Sequence, residues 1–329
     1  IMSTTEWIGR RVRGSPATWS RFWFSSASAS TLTAMRVALG VASLGWAVSI
    51  APDLRTFYFD DGLIPSPNYA DYRLGLFQWL TSDAAVVVAW AAMVVAAISL
   101  IVGKGVRLGA PLLWITTLTL QQGAATALNA GDLLLRIWTA YFALFAVLTP
   151  SRFLDVALFG RPSSGATPDR VWPTAPVWLI RLAQIQLTVI YPTTGIAKLD
   201  GDTWREGTAA LYPLGLQDFE RFWLPAFMRE NLVVGNLMTW FTLAAEISLP
   251  FLLWTRRTRW FGIVVGILLH GGFDYTMRLG FFFPAVVIGY LAFVRASEMD
   301  RFLTWAHGRG SKLLTRSTPP EPCDEIVNL

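Results

Sequence analysis

Apolar residues run along this chain in long blocks separated by short polar segments. Eight blocks approach spanning length, at 31–51, 83–103, 108–128, 132–149, 176–198, 234–254, 259–277 and 279–295. A helix rises about 1.5 Å per residue, so about 20 apolar residues cross a hydrocarbon layer of about 30 Å. The pattern predicts an all-α fold, a polytopic integral-membrane bundle of about eight transmembrane helices. No repeat or Gly/Ser linker divides it. Residues 1–24 read as a cytoplasmic, interfacial N-terminal segment, 25–295 as one transmembrane domain and 296–329 as a cytoplasmic tail.

The connections differ in character. Two of them, 52–82 and 199–233, are rich in aromatic residues; the second holds Trp204, Tyr212, Phe219, Phe222, Trp223 and Phe227. Such content is typical of the membrane–water interface. These two are expected to cap the bundle on its outer side, the second roofing a cavity. The connection at 150–175 and the end TRSTPPEPCDEIVNL are polar and Pro-rich, and are expected to be irregular.

Composition strengthens the membrane reading. Of 329 residues 53% are hydrophobic and 15% charged, with 16 Trp and a mean hydropathy of +0.45. The net charge of +5 follows topology and does not form a nucleic-acid surface. With both termini in the cytoplasm, seventeen Lys and Arg residues fall on the inner side and six on the outer; Arg36, Arg136, Arg181 and Lys198 lie in or at the edge of helices. That asymmetry obeys the positive-inside rule. The first thirty residues lack an apolar core followed by a small-residue cleavage site, so no cleaved signal is expected. One cysteine, Cys323, rules out an intrachain disulfide or a multi-cysteine metal site, and His270 stands alone among the spans with His307 in the tail, so no metal is expected.

Ionisable groups inside a bilayer are costly and face a bundle interior, a partner or a watery path. In the fifth block Arg181, Gln184, Thr188, Tyr191, Gly195 and Lys198 recur at intervals of three and four, drawing one polar stripe along a helix. Pro192 interrupts the backbone ladder there and is expected to free a carbonyl near Thr188. Lys198 has two readings: a snorkelling anchor whose amine reaches the interface, or a desolvated amine able to act as a general base. In the seventh block His270, Asp274 and Arg278 fall at i, i+4 and i+8. They form either an Asp-oriented imidazole that handles a proton or a structural hydrogen-bond set. Glu246, deep in the sixth block, must be neutral or paired, with Arg36, Arg136 and Arg181 as candidate partners.

Taken in order, Arg36, FYFDDGLIP, LNAGDLLLR, IRLAQIQLTVIYPTTGIAKLDGDTW, Glu246 and His270 resemble the HTTM (horizontally transferred transmembrane) family, which includes the membrane part of vitamin K-dependent gamma-carboxylase. The resemblance covers roughly residues 25–295 and is strongest from Tyr191 to Trp204. It implies that Lys198 is the base that deprotonates a quinol, such as reduced vitamin K or menaquinol. In the carboxylase, oxygen then converts the quinol into a strong base that removes the gamma proton of a peptide glutamate for CO2 addition. The carboxylase has two adjacent lysines where this chain has Ala197 and Lys198, and an Asn- and His-containing segment where this chain reads Asn129, Ala130, Gly131, Asp132. It also continues into a large lumenal region, so a glutamyl carboxylase acting alone is not expected of this chain.

The resulting expectation is a quinol-using, carboxylase-like enzyme in a plasma membrane, bacterial by resemblance. Lys198, His270 and Asp274 would be catalytic, while Arg181, Gln184, Tyr191 and Trp204 would bind the cofactor. The substrate, a secreted peptide or small molecule, would arrive from outside. A non-catalytic partner in maturation or export of a secreted peptide, and a transporter, are the competing readings. The former predicts a stable complex with an accessory protein.

Overall fold

A computed structural model of the protein describes residues 18–63, 74–155 and 172–316. The first part of the interfacial segment, the middle of the first outer loop, most of the inner loop at 150–175, and the last residues with Cys323 lie outside them. The apolar blocks emerge as helices α1 (Ser30–Ile50), α2 (Asp83–Val102), α3 (Val106–Gly123), α4 (Ala130–Leu148), α5 (Trp178–Leu199), α6 (Leu232–Trp254), α7 (Arg259–Thr276) and α8 (Phe282–Leu291). A further helix, α9 (Ala296–Arg316), follows in the expected tail.

Local signals set the boundaries. The Ser82 hydroxyl accepts from Ala85 N–H at the start of α2, and Asn231 does the same for Val233 and Val234 at the start of α6. Asn129 and Asp132 form a reciprocal capping box that opens α4. Between α2 and α3, Gly103 and Gly105 both take positive φ, +76° and +66°, so the chain reverses within three residues. Short connections of this kind make sequential helices antiparallel neighbours.

A pair of short strands was not legible in the sequence. Strand β1 (Ser26–Ser28) pairs antiparallel with β2 (Thr174–Pro176), Ala27 facing Ala175, and ties the start of α1 to the start of α5.

Among the described residues, α1 with its short extension to Tyr58, α2, α4 and α6 are long and apolar enough to cross a bilayer. The pair α8 and α9 makes a fifth if read as one span bent by 112°. The helices α3, α5 and α7 have the length, 18, 22 and 18 residues, but carry polar side chains that lower their apolarity. α8 departs from the expected block 279–295. Its ten residues rise only about 15 Å. It lies in the middle of the bundle, packed on α1, α4, α5 and α7, with Ala285, Val286, Ile288 and Tyr290 buried. The Trp138 indole of α4 donates to Ala285 O at 2.7 Å. No residue of α8 is exposed, and its continuous apolarity is a pattern that a helix packed on four neighbours shares with a span.

Val88, Val95, Leu237, Phe251 and Leu268 are exposed on the outside of the helices, as lipid-facing residues must be. Inside, Met35, Leu39, Met93, Leu100, Trp138, Phe142 and Phe145 form one apolar core.

Candidate functional site

The stripe on α5 divides into two halves with different partners. Near the start of the helix, Arg181 Nη1 donates to Gln184 Oε1 at 2.8 Å and the guanidinium lies 4.7 Å from the Phe22 ring. Gln184 Nε2 donates to Ala292 O at 2.8 Å, and the Thr188 hydroxyl accepts from the Trp254 indole at 2.7 Å. These contacts lock helices together. Arg181 is seventeen residues before Lys198, roughly 25 Å along the axis, so neither it nor Gln184 is brought to the lysine.

The second half of the stripe forms a cluster. Lys198 Nζ donates to Glu246 Oε1 of α6 at 2.6 Å, and Glu246 is only 4% exposed. The amine therefore turns into the bundle and does not run free to the interface as a snorkelling anchor would. Thr194 Oγ1 lies 3.4 Å from Glu246 Oε2, and buried Gly195 faces Ile247 of α6. Around Pro192, Thr193 and Thr194 donate to the carbonyls of Val189 and Ile190, next to the Thr188 carbonyl that the proline leaves without its helical donor. Beyond Lys198 the chain turns at Asp200–Gly201, and a short helix, Asp202–Arg205, brings the Trp204 ring back to 5.2 Å from Nζ.

Glu246 thus finds its partner forty-eight residues upstream in Lys198, not in Arg36, Arg136 or Arg181. Arg36 donates to Leu100 O, Arg181 is bonded to Gln184, and Arg136 Nη1 has no partner among the described residues.

Beside the ion pair lies a buried aromatic group. His270 Nε2 is 3.0 Å from Tyr191 Oη, which also contacts Tyr290 Oη of α8. The imidazole is surrounded by Phe273 and Phe282, edge-on at 5.9 and 5.3 Å between centroids. The two clusters share α5, which carries Tyr191 in one and Lys198 in the other, seven residues or about two turns apart. Asp274 does not orient His270. Its Oδ2 accepts from Arg221 Nη1 at 2.7 Å, while α7 ends at Thr276 and leaves Arg278 off the helix.

That ion pair fastens the aromatic loop 199–233 to the bundle. Arg221 N–H donates to Thr276 O, Arg278 N–H to Phe219 O at 2.7 Å, and Ala210 N–H to Thr239 Oγ1 of α6. Tyr212, Phe222, Trp223 and Phe227 remain exposed on its surface. Among the described residues no group of three His, Cys, Asp or Glu side chains is placed to hold a metal ion.

Sequence reasoning marked Glu246 as an acid in need of a partner but could not pair residues so far apart. It missed Tyr290 altogether, which sits in a continuous apolar run. The available signal was Gly266, one turn before His270: a Cβ there would lie 1.9 Å from the Tyr290 hydroxyl.

A helical bundle with polar groups converging on a buried ion pair defines an integral membrane protein with an internal site. The HTTM domain family model matches residues 24–297, and the chain belongs to that family. No curated protein matches it, and no solved structure does.

Proposed function

We propose that this protein is a quinol-using, carboxylase-like membrane enzyme whose base is Lys198. The observation that carries the reading is the Lys198–Glu246 contact at 2.6 Å, a distance over which a proton passes directly. Lys198 Nζ first passes a proton to the Glu246 carboxylate, and the neutral amine then takes a proton from a bound hydroxyl. Trp204 covers the amine against water. His270 orients the ligand, with the aromatic rings of Phe273 and Phe282 as its walls.

The residues fit a quinol headgroup, such as that of reduced vitamin K or menaquinol. It is a flat ring with two oxygens, and the site offers aromatic faces, an amine and a buried imidazole nitrogen, His270 Nδ1, without a protein partner. When bound, such a group supplies the electrons for reaction with oxygen. Asp274 and Arg221 hold the outer loop over the site, and a secreted peptide or small molecule enters past that loop. Arg181 and Gln184 brace the far end of α5 and would meet only the tail of such a group, not its ring.

The distribution of basic residues supports both termini in the cytoplasm of a bacterial plasma membrane, and the site at the outer face.

The test is Lys198→Arg. A guanidinium keeps the pairing with Glu246 but does not deprotonate in proteins. Purified wild-type protein is expected to consume oxygen in the presence of quinol, and the Arg variant to lose that activity by at least about a hundredfold, the usual weight of a general base, while keeping its thermal midpoint. Full activity in Lys198→Arg would sink the assignment.

A further inference from the structure

Proton transfer at Lys198 makes no direct use of the tyrosine pair behind His270, yet hydrogen-bond accounting makes that pair decide the state of the imidazole. Among the described residues Tyr290 Oη has one partner, Tyr191 Oη; Tyr191 Oη has two, Tyr290 Oη and His270 Nε2; and His270 Nδ1 has none. Two proton arrangements satisfy this chain of contacts with the Tyr191 O–H used inside it; the third, in which Tyr191 only accepts, strands that O–H as well as Nδ1. If His270 carries its proton on Nε2, it donates to Tyr191, which donates to Tyr290. The Tyr290 O–H is then a buried donor without an acceptor, and Nδ1 a buried acceptor without a donor. If Tyr290 donates to Tyr191 and Tyr191 donates to Nε2, the proton sits on Nδ1, and Nδ1–H alone lacks a partner. Each unsatisfied buried group is a penalty, so the second arrangement is favoured.

The surroundings keep water from altering that balance. Tyr290, Tyr191 and His270 are 1%, 2% and 4% exposed. Gly266 provides the space in which the Tyr290 hydroxyl sits.

We infer that Tyr290 and Tyr191 are positioning residues that hold His270 as its Nδ1–H tautomer, making Nδ1 a hydrogen-bond donor to a carbonyl or phenolic oxygen of an aromatic ligand. The ligand's class rests on the function proposed above; the tautomer does not. Tyr290 thereby acts on the ligand through two other side chains, from a helix that contributes no group to the base.

The chain has two histidines, so in full-length protein carrying His307→Ala, labelled with 15N-histidine, one imidazole remains. NMR at neutral pH is expected to show a protonated, pyrrole-type Nδ1 and a pyridine-type Nε2. Tyr191→Phe removes the donor to Nε2 and is expected to shift the population toward Nε2–H, with Tyr290→Phe giving a smaller shift. Adding 2-methyl-1,4-naphthoquinone is expected to move the Nδ1 resonance, with affinity about fivefold to tenfold weaker in Tyr191→Phe. An Nε2–H tautomer in the otherwise wild-type protein, or no change in Tyr191→Phe, overturns the inference and leaves the role of Lys198 standing. A correct tautomer whose Nδ1 resonance ignores saturating naphthoquinone overturns the donor role together with the quinol reading.

Discussion

Lys198 and Glu246 illustrate how a costly pair is kept inside a membrane. Either charge alone would be poorly solvated there, and the two are tolerated because each is the other's solvent. Glu246 is the more dependent partner, its side chain 5% exposed against 23% for Lys198. Lys198→Met strands that carboxylate, and removing one member of a buried pair costs about 3–5 kcal/mol. A marked fall in thermal midpoint in detergent is expected, with most of it regained in Lys198→Met/Glu246→Leu. A single variant as stable as the wild type would show that the pair is not formed.

At the scale of elements, α8 controls the site through its packing. It is short, enclosed by α1, α4, α5 and α7, and presents Tyr290 to the gap opened by Gly266 of α7. Gly266→Ala places a methyl group against a ring with no room to retreat. Overpacking of this kind costs about 1–3 kcal/mol, and separating Tyr290 from Tyr191 is expected to reduce quinol-dependent oxygen uptake as well. Gly272→Ala is the control on the same helix, since its Cβ meets nothing within 4 Å. It should be neutral or stabilise by up to about 1 kcal/mol through helix propensity. Equal midpoints for the two variants would count against the close packing of α7 on α8. At the other end of α7, Arg259 Nη2 meets both Glu298 oxygens at 2.8 and 2.9 Å, so α9 is anchored where the sequence showed only a polar tail.

Over the whole molecule, the loop 199–233 is fastened to α6 and α7 through Ala210, Arg221 and Arg278, and the sequence assigns seventeen of the Lys and Arg residues to the expected cytoplasmic side. This arrangement predicts sidedness. In a Cys323→Ser background, Tyr212→Cys is expected to react with a membrane-impermeant maleimide on intact cells, and Arg257→Cys only after permeabilisation. Both positions are exposed in the fold. The reverse pattern would place Lys198 at the cytoplasmic face.

The apolar blocks by themselves determined the helical class and the positions of α1 to α7, because length and apolarity are local properties of the chain. Spacing also placed Tyr191 and Lys198 on one face of α5, and the DGDTW turn already held the residues that bring Trp204 back to the amine. Other features are not local. The choice of Lys198 as partner for Glu246, the diversion of Asp274 to Arg221, and the junction of Tyr191, His270 and Tyr290 depend on three or four helices meeting, which periodicity cannot specify. The same holds for α8: only its packing on α1, α4, α5 and α7 limits the helix to ten residues within the longer apolar block 279–295.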